Sequence, residues 1–312
     1  MAADPTNAPP PPQPSAGAAA GPSVIAEPAV VAPTIAEVSA ERLSNAAENV
    51  TATPWRPWHS ISLFITIGLI VLLGSRAIEV PAFNRWLAIM VLMTAFIAIA
   101  GNGIGGRWSA TLIDERNMIS LSRMQLLVWT IVVLGAFLTA GLSNIRLGAD
   151  DPLVIRMPQQ LWVLMGISTT TLAATPLLQG QKKAQDLSDL DEKVAPLTVA
   201  TLEAQKGAKT TKCNVVVEGR LVAHTSPSCA SWGDMFRGDE ISNGAHLDLS
   251  KVQLFFFTII LVIAYAAALS ALFTAEAGII TAFPALDSSV VALLGISHAG
   301  YLTSQVTQSG AQ

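Results

Sequence analysis

Leu121-Ser-Arg-Met-Gln-Leu-Leu-Val-Trp-Thr-Ile-Val-Val-Leu134 returns later in the chain as Leu249-Ser-Lys-Val-Gln-Leu-Phe-Phe-Phe-Thr-Ile-Ile-Leu-Val262. Serine, a basic residue, glutamine and threonine align without a gap at an offset of 128 residues. Upstream, Trp108 with Asp114-Glu115 matches Trp232 with Asp239-Glu240; downstream, Leu164-Met-Gly-Ile-Ser168 matches Leu293-Leu-Gly-Ile-Ser297. Each copy reads as a polar approach, an apolar span, a loop and a second span through Gly-Ile-Ser. Both copies start on the same side, which makes this a parallel tandem repeat.

The composition says what the apolar segments face. Only 13% of the 312 residues are charged, against roughly 25% in a soluble domain, and mean hydropathy is +0.50. Too little charge remains to cover a water-facing surface, so a soluble enzyme is disfavoured and a lipid bilayer is the implied partner. A net charge of −4 with no basic stripe gives nucleic acid no electrostatic footing. Six apolar segments follow an N-terminal region without a signal-peptide core: about 61–74, 86–100, 126–142, 161–178, 252–275 and 288–302. The first, second and last reach spanning length only with their flanks, so five spans is the competing count.

With six spans, the tail, the 101–123 loop, the 179–251 loop and the C-terminus share one side, with 14 Lys and Arg against 4 on the other. The positive-inside rule makes that side cytoplasmic. The fold class expected is an all-α membrane protein with about six transmembrane helices, a tandem two-helix repeat, a small cytoplasmic α/β insertion and a disordered N-terminal tail. The boundaries are a Pro/Ala-rich tail at 1–57, a first transmembrane hairpin at 58–106, repeat 1 at 107–178, the insertion at 179–231, repeat 2 at 232–306 and a tail at 307–312.

Within the tail, Thr34 and Glu37 read as a capping box opening a short helix over 34–48 that needs a partner for stability. In the insertion, Lys182 to Gln205 is helical in composition with a break at Pro196. Two β-rich runs around Glu218-Gly219 predict a hairpin. Cys213 and Cys229 are 16 residues apart and belong to no metal-binding pair; in a cytoplasmic loop they read as reduced thiols.

The repeat supplies the candidate interface residues at the membrane mouth. Ser122 and Ser250 suit helix N-caps, and Arg123 and Lys251 suit snorkelling to headgroups. Gln125 and Gln253 could hydrogen-bond between helices. Trp108 and Trp232 suit interfacial anchoring, with Leu112 and Phe236 beside them. His298 is the candidate polar residue inside a span, and a satisfied structural histidine is favoured over a proton path.

The remaining motifs carry little chemistry. Gly101-Asn-Gly103-Ile-Gly105-Gly106 matches a dinucleotide fingerprint but follows an apolar span, so it reads as a helix exit. Asp150-Asp151, Asp239-Glu240 and the acids from Asp186 to Glu192 read as solvated charges. His224 could sit with a thiolate. Asn49-Val50-Thr51 is a glycosylation sequon by pattern only. Small residues at Ala264/Ala268 and Gly295/Ala299 permit close helix packing. No catalytic, cofactor-binding or metal-binding residues emerge.

Leu112-Ile-Asp-Glu-Arg-Asn117, Ser120-Leu-Ser-Arg-Met-Gln125 and Ala230-Ser-Trp-Gly-Asp-Met-Phe-Arg-Gly-Asp-Glu240 resemble a group of uncharacterised bacterial multi-pass inner-membrane proteins over residues 86–305. The resemblance implies a bacterial cytoplasmic membrane and supplies no activity. The function expected is non-enzymatic: a membrane anchor or docking scaffold for a cytoplasmic protein partner or a large assembly, such as a secretion or contractile injection apparatus, possible as a homo-oligomer and without cofactors. A channel or transporter built from the repeat is the alternative.

Overall fold

The computed structural model describes residues 33–48, 55–75, 78–205, 213–275 and 278–307. The Pro-rich run before residue 33 and the Asn49-Val50-Thr51 sequon lie outside the described residues. From Thr34 onward the chain folds as one unit. Its helices are α1 (Ile35–Glu48), α2 (Pro57–Gly74), α3 (Ala82–Gly105), α4 (Leu121–Leu147), α5 (Gln159–Lys183), α6 (Asp189–Gln205), α7 (Leu249–Thr274) and α8 (Ser288–Thr307). One antiparallel hairpin joins β1 (Val215–Glu218) to β2 (Leu221–His224).

Five helices, α2, α3, α4, α5 and α7, are long and apolar enough to cross a membrane. The chain is a multi-pass membrane protein on that ground. The packing agrees, because the bundle is inside out relative to a soluble domain. Phe64, Val91, Ile260, Ile263 and Ile296 face outward, while Gln125, Thr139, Asn144, Ser168, Thr171 and Thr258 are buried. Helix α4 is the hub: half of its most apolar stretch is buried, and it packs on α2, α3, α5 and α7. Trp129 of α4 meets Tyr265 of α7 at 6.3 Å between ring centroids, and Trp86 of α3 meets Phe273 at 5.5 Å.

Helix α8 is not among the five. It has 20 residues, about 30 Å at the α-helical rise, but turns Ser297, His298, Tyr301 and Gln305 inward and Val290, Leu293 and Ile296 outward. Its polar stripe packs on α5 and α7. This lowers its mean hydropathy without making its outer face polar.

Outside the bundle stands a small head, whose core is Ala195, Val199 and Leu202 of α6, Val215, Val217 and Val222 of the hairpin, and Ile241, with Ile35 of α1 against them. Three expectations are corrected here. First, the tail boundary at 57 takes in ordered chain: the short helix expected over 34–48 forms as Ile35–Glu48 and packs on the head. Thr34 and Glu37 cap each other reciprocally, and Arg42 reaches Glu203 and the Val215 carbonyl, both at 2.8 Å. The partner this marginal helix needed is the head itself. Second, α6 runs through Pro196 without a break; burial of Ala195, Val199 and Leu202 on the hairpin outweighs the lost N–H. Third, Cys213 and Cys229 form a disulfide, not two free thiols. The hairpin register leaves their Cα atoms 5.4 Å apart, inside the range a disulfide spans.

Candidate functional site: a buried ion network where head meets bundle

The hairpin turn is where the head meets the bundle. Gly219 has φ +57°, and a Cβ there would collide with the Lys183 carbonyl oxygen. Only glycine fits both demands. The turn therefore lies directly on the C-terminus of α5, where the Arg220 N–H donates to the Lys182 carbonyl at 3.1 Å. The hairpin caps the helix that carries it.

Around this contact, four cations face four carboxylates. Arg116 reaches Asp114 at 3.0 Å and Asp239 at 2.9 Å. Lys251 reaches the same Asp239 oxygen at 2.7 Å and donates to the Arg237 carbonyl at 2.6 Å. Lys182 lies 2.7 Å from Glu240 and donates to Gln305 at 3.2 Å. Arg220 sits 3.5 Å from both Asp191 and Glu240. The groups come from the loop before α4, the end of α5, the start of α6, the hairpin turn, the loop after the hairpin, the start of α7 and the end of α8. Asp239 and Glu240 are each 1% exposed.

This burial sets the protonation states. Burial alone would raise the Asp239 pKa, but Arg116 and Lys251 outweigh it and hold the carboxyl well below the usual carboxylate range. Burial likewise works against the Arg116 charge, and Asp239 and Asp114 reverse it, raising its pKa. A second pair lies beside the network: His224 Nε2 is 3.6 Å from Asp234. Burial raises the Asp234 pKa, and hydrogen bonds from His224 and Ser231 more than offset it.

Several sequence expectations change on this geometry. Asp239-Glu240 and Asp191 are not solvated but form the anionic side of a buried network. Lys251 does not snorkel to headgroups, because Asp239 holds it inside. Ser122 and Ser250 are not the N-caps. Helices α4 and α7 start at Leu121 and Leu249, which places the caps at Ser120 and Asp248. The Asp248 carboxylate accepts the Ser250 and Lys251 N–H groups, and an anion suits a helix N-terminus better than a hydroxyl. His224 pairs with Asp234, with no thiolate to join because both sulfurs are in the disulfide.

The other candidate residues separate. Gln125 is buried and its Nε2 donates to Thr258 at 2.5 Å, linking α4 to α7; its counterpart Gln253 is exposed. Ser122 is buried near Tyr301, and Arg123 is half-buried. Trp108 and Trp232 are each 59% exposed, Trp108 just before the 3-10 turn Ala110–Leu112 and Trp232 at the start of the 3-10 turn Trp232–Phe236. Leu112 and Phe236 pack on the bundle core. His298 lies apart in the bundle, its Nδ1 2.7 Å from the Thr171 hydroxyl. The Gly-rich run closes α3, with Gly106 left-handed at φ 68° as its C-cap, and no strand precedes it.

Sequence reasoning missed Arg116, Lys182, Arg220 and Asp114 as a group. One signal was available: 19 of the 40 charged residues fall in 179–251, a density that could have suggested internal pairing. Among the described residues no cluster of His, Cys, Asp and Glu could hold a metal, and the network contains no nucleophile beside a base. What it can do is fix the head rigidly to the helices. No protein-family model, curated protein or solved structure matches this chain.

Proposed function

We propose that this protein is a membrane docking scaffold that presents a rigid head to a protein partner or large assembly. The observation that carries this reading is where the charge lies. Among the described residues, no Asp, Glu, Lys or Arg lies between the first and last turns of the five candidate spans, while eight charges, seven of them buried, gather at the junction of head and bundle. A carrier needs a polar route and relative motion of its halves; a platform needs a fixed joint. The alternative pore or carrier has only isolated Thr and His pairs such as Thr171–His298 behind it.

Six spans belong to this reading, with α8 as the sixth, because its outward face is as apolar as those of its neighbours. The matched starts of α4 and α7 at Leu121 and Leu249 support the tandem repeat. The resemblance to bacterial inner-membrane proteins rests on the quoted motifs. Sidedness has two opposed supports: the 14-to-4 distribution of basic residues favours a cytoplasmic head, whereas the Cys213–Cys229 disulfide favours an oxidising compartment.

The docking test is site-specific photo-crosslinking in native membranes, from Leu197 on α6 and from Trp232 at the mouth. The same partner band is expected from both, and none from Asp150 at the other end of the bundle. Equal capture from Asp150, or none from the head, would overturn the scaffold. Labelling Asp150→Cys with a membrane-impermeant maleimide, in a Cys213→Ser/Cys229→Ser background, decides the side: reaction in intact cells places the head in the cytoplasm.

A further inference from the structure

The end of the bundle away from the head handles charge differently. A cavity of about 520 Å³ opens there between the start of α3 and the ends of α4 and α7. Two arginines line it, Arg85 and Arg146. Arg85 is 4% exposed; it donates to Ser143 Oγ at 2.9 Å and to the Val80 carbonyl at 2.8 Å, and its Nε has no partner. Arg146 donates through Nη1 to the carbonyls of Ser75 and Ile78. Neither is in an ion pair, so neither has a carboxylate among the described residues.

Helix electrostatics explains one of the two. Arg146 lies in the last turn of α4, where a cation meets the negative end of the helix dipole. Arg85 lies in the first turn of α3, at the positive end, where a buried cation is disfavoured twice over. Helix α3 also has Pro81 at its N-cap and no side-chain cap, which leaves its first N–H groups without an acceptor from a capping side chain. Two guanidinium groups and a helix N-terminus without a side-chain cap converge on one cavity, and among the described residues no carboxylate joins them. Arg85 and the helix start call for an anion, and Arg146 stands beside them with donors of its own.

We infer that the Arg85–Arg146 cavity binds a phosphate group, at the level where the headgroups of a bilayer lie. A phosphate oxygen set matches the fork of guanidinium donors and the N–H groups of a helix start. The chemistry is shared by an anionic phospholipid and a soluble phosphate. The depth of the cavity at the end of the spans favours the lipid.

The test uses the whole protein purified in a mild nonionic detergent and stripped of lipid. Native mass spectrometry and thermal shift are read with phosphatidylglycerol, with phosphatidylcholine and with inorganic phosphate. The expected result is preference for phosphatidylglycerol over phosphatidylcholine by about tenfold or more, the scale of two basic groups acting on an anionic lipid. The preference falls to near unity in Arg85→Gln and in Arg146→Gln. Arg146→Lys, which keeps the charge where Arg146→Gln fails to fold, retains part of it. A response to inorganic phosphate alone, lost in the same variants, keeps the phosphate site and makes the soluble anion its source. Equal affinity for both lipids with no phosphate response, or a preference unchanged in Arg85→Gln, would overturn the inference.

Discussion

The two ends of the bundle meet the same problem, cations drawn out of water, and solve it in opposite ways. At the head end, Arg116, Lys182, Arg220 and Lys251 face Asp114, Asp191, Asp239 and Glu240. At the far end, Arg85 and Arg146 have carbonyls and a hydroxyl but, among the described residues, no anion. A charge-balanced network holds parts together. An unbalanced pair is free to take a ligand. The contrast separates a joint from a binding site within one membrane protein.

The largest effect should come from opening the joint. Asp239→Asn removes the carboxylate that Arg116 and Lys251 share and leaves two cations buried; the expected loss is about 3–5 kcal/mol, read as a fall in thermal or denaturant midpoint. Next is the disulfide. Cys213→Ser opens the loop that ties the start of β1 to the turn after β2, at a cost of about 3 kcal/mol for a loop of this length. The loss should appear as faster hydrogen exchange in β1 and β2, with the spans unchanged. Acid should act on the joint. The Asp239 pKa is depressed in the folded protein, so its contribution is complete above pH ~4, the ordinary aspartate value, and is lost as pH falls below that. Exchange of residues 237–248 should rise only below pH ~4; an onset near pH 6 would assign the joint to other groups. The smallest effect belongs to the far end. In lipid-free detergent, Arg85→Gln should change stability by less than about 1 kcal/mol, since it removes a cation that has no counter-ion there.

The repeat shows how far the sequence carried. The starts of α4 and α7, the hairpin at Glu218-Gly219 and the apolar helices were legible, because periodicity, turn residues and hydropathy are local properties. The burial of equivalent residues was not. Gln125 lies inside because α4 is surrounded by four helices, whereas Gln253, in the same register of α7, faces outward. Lys251 is drawn in by Asp239, while Arg123 at the matching position is half-buried. Position in a repeat fixes the element; position in the bundle fixes the environment. The ion network was harder still, since its charges come from six separate segments and their pairing exists only in the assembled fold. The disulfide was hidden by an assumption about compartment rather than by spacing.

The central claim is that buried ion pairs fix the head to the bundle. A double-mutant cycle of Asp239→Asn with Lys251→Met, followed by reversible unfolding in mixed micelles, tests it most directly. The account predicts a coupling energy of about 2 kcal/mol or more, with the double variant more stable than the sum of the single losses allows. Additive losses, with coupling below about 0.5 kcal/mol, would contradict it.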